Sequence, residues 1–466
     1  MAVAEDKYVR ARRGLPVLAV FGLVGLPGVV AGQDVTFALD VAPILQENCQ
    51  ICHRPGAIGP MPLLTYEDAR SYGFFIKMKV ESRLMPPWQI ERGVGIQDFK
   101  NDRSLSDEEI STLVQWVDSG MPEGNPADLP GPVDWAAHDA LGWQLEGQLG
   151  RPPDMIVASP PFDVVPNGQD QWSFPVTRLD QLTEPRVVMA AEIRPGNVEA
   201  RYVFHHGNSR LAASAAGKDY DIYPEDGGTP LEPGEEISWN LHFFPIGREV
   251  KGAFIETGVW FYPKGQEPKF VSRSVTFLAD PVDNRAVMPS GNPCWKQPAQ
   301  ADLDSEACTS LTRSASLLIP PNGRAMLQGV HVLDRPMRIH SIRGHMHMRG
   351  RHHTLEAIYP DGGREILNRI NFDQRWHIAH IYEDDVRPLL PKGTVLIVNS
   401  YYDNTADNPT NPDPDQWVTF GRRSASEMSH MWVGVTYFDN EEDFQKLVTE
   451  REQRRRTPPN AVGGDG

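Results

Sequence analysis

The sequence predicts a multidomain protein: a small all-α domain followed by two antiparallel β-sandwich (jelly-roll-like) domains. Three observations carry this. The 466 residues suit about three domains. Helix signals with capping residues crowd into residues 34–125, and apolar alternation broken by turns fills residues 155–440. Gly (40) and Pro (41) are both abundant, which favours frequent turns and short strands over long helices.

In chain order, residues 1–32 read as a signal peptide. Arg10, Arg12 and Arg13 form a basic start, Leu15 to Val30 is apolar, and Val29, Ala31 and Gly32 suit cleavage near position 32. Pro16 and Pro27 make the run a poor membrane span. Export predicts a periplasmic or secreted protein. No other stretch reads as membrane-spanning, and a formal charge of −17 argues against nucleic-acid binding.

Residues 34–125 carry short helices. Ser106 and Glu109 form a capping box ahead of Ile110, Leu113, Val114 and Val117, which share one helical face. Thr65 and Asp68 open a second helix in the same way. Ahead of both lies CQICH, residues 49–53, the C-x-x-C-H signature of covalent c-type haem attachment. Cys49 and Cys52 would bond the haem vinyl groups, and His53 would ligate iron. The alternatives are a redox C-x-x-C pair and half of a zinc site. A thioether suits the sixth position in an electron-transfer haem. Met85, in the stiff RLMPPW segment, is the choice, with Met61 as rival and Met78 assigned to the core.

A Pro/Gly-rich stretch at 121–132 starts a linker, taken as 126–154. Two β-sandwiches follow, 155–285 and 286–445, and 446–466 is a charged tail. EISWNLHFF alternates: Ile237, Trp239, Leu241 and Phe243 share one face, Asn240 and His242 the other. Cys294 and Cys308 are expected to pair in an oxidising compartment, for roughly 3 kcal/mol.

Histidines cluster in the β region. His205 and His206 are adjacent, so both reach one point only if their strand bulges, which Gly207 favours. His345 and His347 are spaced i, i+2, which on a strand aims both to one side, with Met346 and Met348 opposite. Imidazole suits copper, zinc, iron or nickel, whereas a thioether selects copper(I). Met428, in SEMSHMW, supplies one, with His430 and Met431 as rivals. His340, His377 and His380 carry no assigned role.

The order H-H, strand histidine, H-x-H, then E-M before an apolar strand resembles the copper type II, ascorbate-dependent monooxygenases, peptidylglycine α-hydroxylating and dopamine β-monooxygenase among them. The likeness spans residues 155–440, strongest in YVFHHGNS, GHMHMRGR, YYDNTADNPTNP and SEMSHMW. Residues 34–125 resemble a bacterial cytochrome c domain, from the haem motif through MPPW to LSDEEISTLVQWVDSGMPEG. The resemblance implies two coppers, one on His205, His206 and His242, the other on His345, His347 and Met428, facing each other across an open cleft. The second would activate dioxygen (O2) to hydroxylate a C–H bond of a small-molecule or peptide substrate. Asn240 stands where the family often has a glutamine near the substrate. Covalent haem c would relay electrons from a periplasmic donor. Two other readings compete: a non-catalytic electron-transfer cytochrome with a copper-binding β region, and a copper carrier. The sequence lacks the repeated Met- or His-rich motifs of copper carriers, the G-x-S-x-G elbow and the H-E-x-x-H helix.

Overall fold

The computed structural model describes residues 35–55, 57, 59–135, 142–168, 170–214, 220–279 and 317–456. The predicted leader and the Cys294–Cys308 pair lie outside these residues.

Both predicted capping boxes form. Thr65 Oγ1 accepts from Asp68 N at the start of α2 (Tyr66–Ser71), and Ser106 Oγ from Glu109 N at the start of α4 (Asp107–Asp118). With α1 (Ala42–Asn48) and α3 (Gly73–Glu81), these helices bury Leu45, Val80, Leu113 and Trp116 together.

The all-α domain does not exist as predicted, because the helices run directly into the β structure. After α3 the chain reads Met85-Pro86-Pro87-Trp88, where proline withholds amide donors and keeps the backbone extended. It then forms β1 (Ile90–Gly95), which pairs antiparallel with β14 (Arg364–Asn371). Ile90 and Phe99 are buried among Leu355, Leu367 and Ile370 of the C-terminal half. At Gly95 (φ 67°) a Cβ would strike the Leu367 carbonyl, so only glycine allows this approach.

The β region also departs from two separate antiparallel sandwiches. One ten-stranded sheet crosses both halves. Its main path is β2 (Met155–Ala158), β9 (Ile255–Phe261), β4 (Arg186–Pro195), β7 (Gly227–Leu231), β10 (Phe270–Leu278), β17 (His430–Tyr437), β12 (Met337–His345) and β15 (His380–Ile381). The joint is a parallel pair, Gly227↔Phe270 and Gly228↔Val271. Thr229 Oγ1 donates to Ser272 O (2.6 Å), and Arg338 Nη1 to Asp226 Oδ2 (2.9 Å), across the same seam. Strand β10 precedes the predicted boundary near 285, yet it pairs with β17 along its full length. Half of the predicted linker is likewise built in: Trp143, just before α5 (Gln144–Leu149), and Leu145 within it pack on Trp260.

Two smaller sheets complete the site's frame. One runs β3 (Gln171–Ser173), β8 (Asn240–Phe243), β5 (Phe204–Asn208), β6 (Ala213–Ser214). The other runs β1, β14, β13 (Gly350–Ile358), β16 (Val395–Asp403), β11 (Arg324–Val332). Helix α6 (Val198–Val203) leads into β5. The C-terminal α7 (Glu441–Arg456) covers the second half through buried Phe444 and an Arg454–Asp385 pair, so Arg451 to Arg456 are helical.

Candidate metal centre

Strands β5 and β8 place the first three histidines. Pairing runs Asn240↔Asn208, Leu241↔Gly207 and His242↔His206, then slips to Phe243↔Phe204. His205 is the extra residue of that bulge, which lets adjacent imidazoles converge. Gly207 is required for packing: a Cβ there would meet Leu241 and Phe204 at 2.8–2.9 Å. Donor nitrogens of His205, His206 and His242 lie within 4.8 Å of one another, and among the described residues no other trio of His, Cys, Asp or Glu does so. His206 Nε2 stands 3.1 Å from His242 Nδ1. Tetrahedral ligands bound at about 2.0–2.1 Å sit roughly 3.3 Å apart, so the trio fits a metal ion.

Asp170 and Trp172 complete this cluster. His242 Nε2 donates to Asp170 Oδ2 at 2.9 Å, leaving Nδ1 toward His206. Carboxylate partners of this kind orient metal-bound imidazoles. Trp172 stacks on His242, rings 4.1 Å apart and 9° from parallel.

The second group forms where β12 ends. His345 is its last residue, paired with His430 of β17, while His347 lies just beyond the strand. The H-x-H pair therefore meets at a strand end, with rings 5.1 Å apart and 88° inclined, and Met346 is buried on the opposite side. His347 Nδ1 donates to Ser426 O (3.0 Å), which leaves Nε2 as its lone-pair nitrogen. Met428 is only 6% exposed.

Glu427, beside Met428, ties these pieces together. Its two oxygens accept from His347 N (2.8 Å) and Arg349 N (2.6 Å), fixing the H-x-H loop to the methionine loop. Burial pushes its carboxyl up to about 8, against the opposing pull of these amides and Arg349. In Glu427→Gln one amide would face an NH2 group in place of an acceptor. Stability should fall by about 1–3 kcal/mol, the cost of one buried unsatisfied donor. Chemical denaturation measures this, and an unchanged midpoint would refute the clamp.

The two groups touch. His206 and His345 rings are 6.0 Å apart, and both line a cavity of about 150 Å³ with Met428, Asn240, His430 and Trp432. The parallel β7–β10 joint also places both halves in one sheet. Asn240 Oδ1 is buried in this region without a hydrogen-bond partner. Burial, the leading cause throughout, lowers the imidazoles: His242 and His347 to about 4, His205 downward, and His206, His345 and His377 well below the usual value. All are neutral at pH 7, as metal ligands must be.

The C-x-x-C-H motif sits apart, in the turn that follows α1. His53 Nδ1 donates to Met61 O at 3.1 Å, and Leu63 N to His53 O at 2.9 Å. Nε2 is thus the nitrogen that would face a haem iron, and neither Cys49 nor Cys52 is in a disulfide. Burial pushes the Cys49 thiol up to about 12, the opposite of the low-pKa thiolate of a redox-active C-x-x-C. This donor set fits a covalent haem. Met61 hydrogen-bonds the rear of the imidazole, on the side away from Nε2. Met85 is half-buried just past α3, its amide donating to Lys79 O at 3.3 Å. Met78 is exposed rather than core.

Sequence reasoning missed Asp170, Trp172, the Glu427 clamp and His377. Their partners lie far away in sequence: Asp170 and Trp172 precede His242 by about 70 residues, and Glu427 follows His347 by 80. His340 and His380 are buried in and beside β12, outside the cavity lining.

No protein-family model matches the chain, and no curated protein matches it. Among solved structures, a Paenibacillus xanthan lyase aligns with TM-score 0.15 and 8% identity over 60% of this chain and 25% of its own. This chain thus spans a quarter of that enzyme's length. A two-domain Bacteroides fragilis protein aligns with TM-score 0.14 and 10% identity over 64% of this chain and 99% of its own. Procruciferin from Brassica napus aligns with TM-score 0.12 and 9% identity over 67% and 96%. Likenesses this low assign neither fold nor function, and among the described residues no helix is long and apolar enough to cross a membrane.

Proposed function

We propose that this chain is an exported, haem-linked dicopper monooxygenase. The observation that carries the reading is convergence. Ligand-type side chains about 220 residues apart in sequence, His206 and Met428, line one cavity with His345 between them. Met428 favours copper(I) over zinc there. Bound copper would supply one-electron redox chemistry and dioxygen activation. The net change is R–H + O2 + two electrons + two protons → R–OH + water, with electrons entering through a haem on Cys49, Cys52 and His53.

The protein's own groups have definable tasks. Asp170 orients His242, Glu427 and Ser426 fix His347, and Trp172 and Trp432 wall the cavity against water. Asn240 Oδ1 is positioned to accept a hydrogen bond from a substrate N–H or O–H. Met61 stands behind His53, which favours Met85 as the sixth ligand.

Copper titration followed by elemental analysis tests the reading. Two ions per chain are expected, falling to one in His242→Ala. One zinc per chain, or copper binding untouched by His242→Ala, would reject it. Copper binding without substrate-dependent oxygen uptake would favour the non-catalytic alternative.

A further inference from the structure

His377 belongs to neither predicted ligand set, yet it lies at their junction. Its ring centroid is 5.0 Å from His345, 5.4 Å from His206 and 6.3 Å from His205. Its Nδ1 is 3.3 Å from His345 Nδ1. That separation equals the spacing of two nitrogens on one tetrahedral ion with bonds of about 2.0–2.1 Å. The side chain is 4% exposed, so it faces the cluster rather than solvent.

The backbone around it is held on both sides. Gln89 Nε2 donates to Trp376 O (2.9 Å), and Asn101 Nδ2 to Ala379 O (2.7 Å). Asn101 Oδ1 also accepts from Ile381 N. A backbone hydrogen bond to Gln374 helps orient the ring. Fixing a loop from two directions around one buried imidazole suits a preorganised ligand better than a packing residue.

We propose that His377 is the third imidazole donor of the metal held by His345 and His347, completing a three-histidine, one-methionine set with Met428. This rests on the copper reading above. His345, His347 and His377 are less tightly gathered than the first trio. Three imidazoles with one thioether suit copper(I). The first trio is left whole, so His377 adds to the second site alone.

Copper(I) competition against a chromophoric chelator tests the idea on the full chain, with His377→Gln, whose side chain is of similar size. In the wild type two ions should bind. In the variant the affinity of one should fall at least about tenfold and the other stay unchanged. X-ray absorption on wild-type protein gives a mutation-free second measure: six imidazoles and one sulfur per two coppers, against five and one if His377 does not ligate. If the wild type binds fewer than two ions, the copper reading itself fails. If it binds two with five imidazoles, or His377→Gln folds and keeps both affinities, this inference alone is overturned.

Discussion

Replacing Met428 is expected to cost at least about a hundredfold in substrate-dependent oxygen uptake, since it removes the donor that favours copper(I). Met428→Ala alone would be ambiguous. The residue is buried, and truncation there leaves a cavity costing about 2–5 kcal/mol. Met428→Leu removes the confusion, because Met-to-Leu exchange conserves volume and costs under about 1.5 kcal/mol. The Tyr402 hydroxyl bond to the Met428 carbonyl is a backbone contact that both variants can keep. Both should lose turnover, and both should lose the sulfur scatterer from the copper(I) absorption spectrum. Uptake is measured across small aliphatic, benzylic and peptide substrates on copper-loaded protein. Product formation retained in Met428→Leu would end the assignment of this thioether to the oxygen-activating site.

The outcome at Met428 bears on which parts of this protein the sequence discloses. Local signals were legible. Ser106 with Glu109, and Thr65 with Asp68, give capping boxes because capping is decided within four residues. The buried face of Ile237, Trp239, Leu241 and Phe243 follows from a period of two. The need for a bulge beside His206 follows from strand geometry alone. Long-range pairing was not legible. Nothing in IERGVG marks a strand, since its partner, β14, lies about 270 residues away. The parallel joint at Gly227 and Gly228 is equally silent, as two glycines in a turn-rich segment read as a loop. The predicted fold class, an all-α domain with two separate antiparallel sandwiches, failed at these two pairings. The place of His377 was not legible for the same reason: its neighbours in space, His345 and His206, are 32 and 171 positions away.

His53→Ala is expected to divide activity by reductant. Turnover driven through the haem should fall to background, because the proximal imidazole is lost and the Met61 carbonyl loses its donor. Turnover driven by a small reductant such as ascorbate should persist, since no copper ligand is touched. The two regions are mechanically connected. The segment after Met85 runs through Gln89, which holds Trp376 O, and through Asn101, which holds Ala379 O, on either side of His377. Trp88 meets His380 edge-on at 4.7 Å. The helices that flank the C-x-x-C-H motif are therefore continuous with the support of the histidine cluster. If His53→Ala prevents haem attachment, Met85→Ala serves as the second variant, expected to keep the haem, lose the thioether-to-iron absorption band and lower the potential. That variant should slow haem-driven turnover and leave ascorbate-driven turnover intact. Equal loss under both reductants, in protein with two coppers bound, would show that the haem region acts on the copper site structurally and does not serve as its electron source.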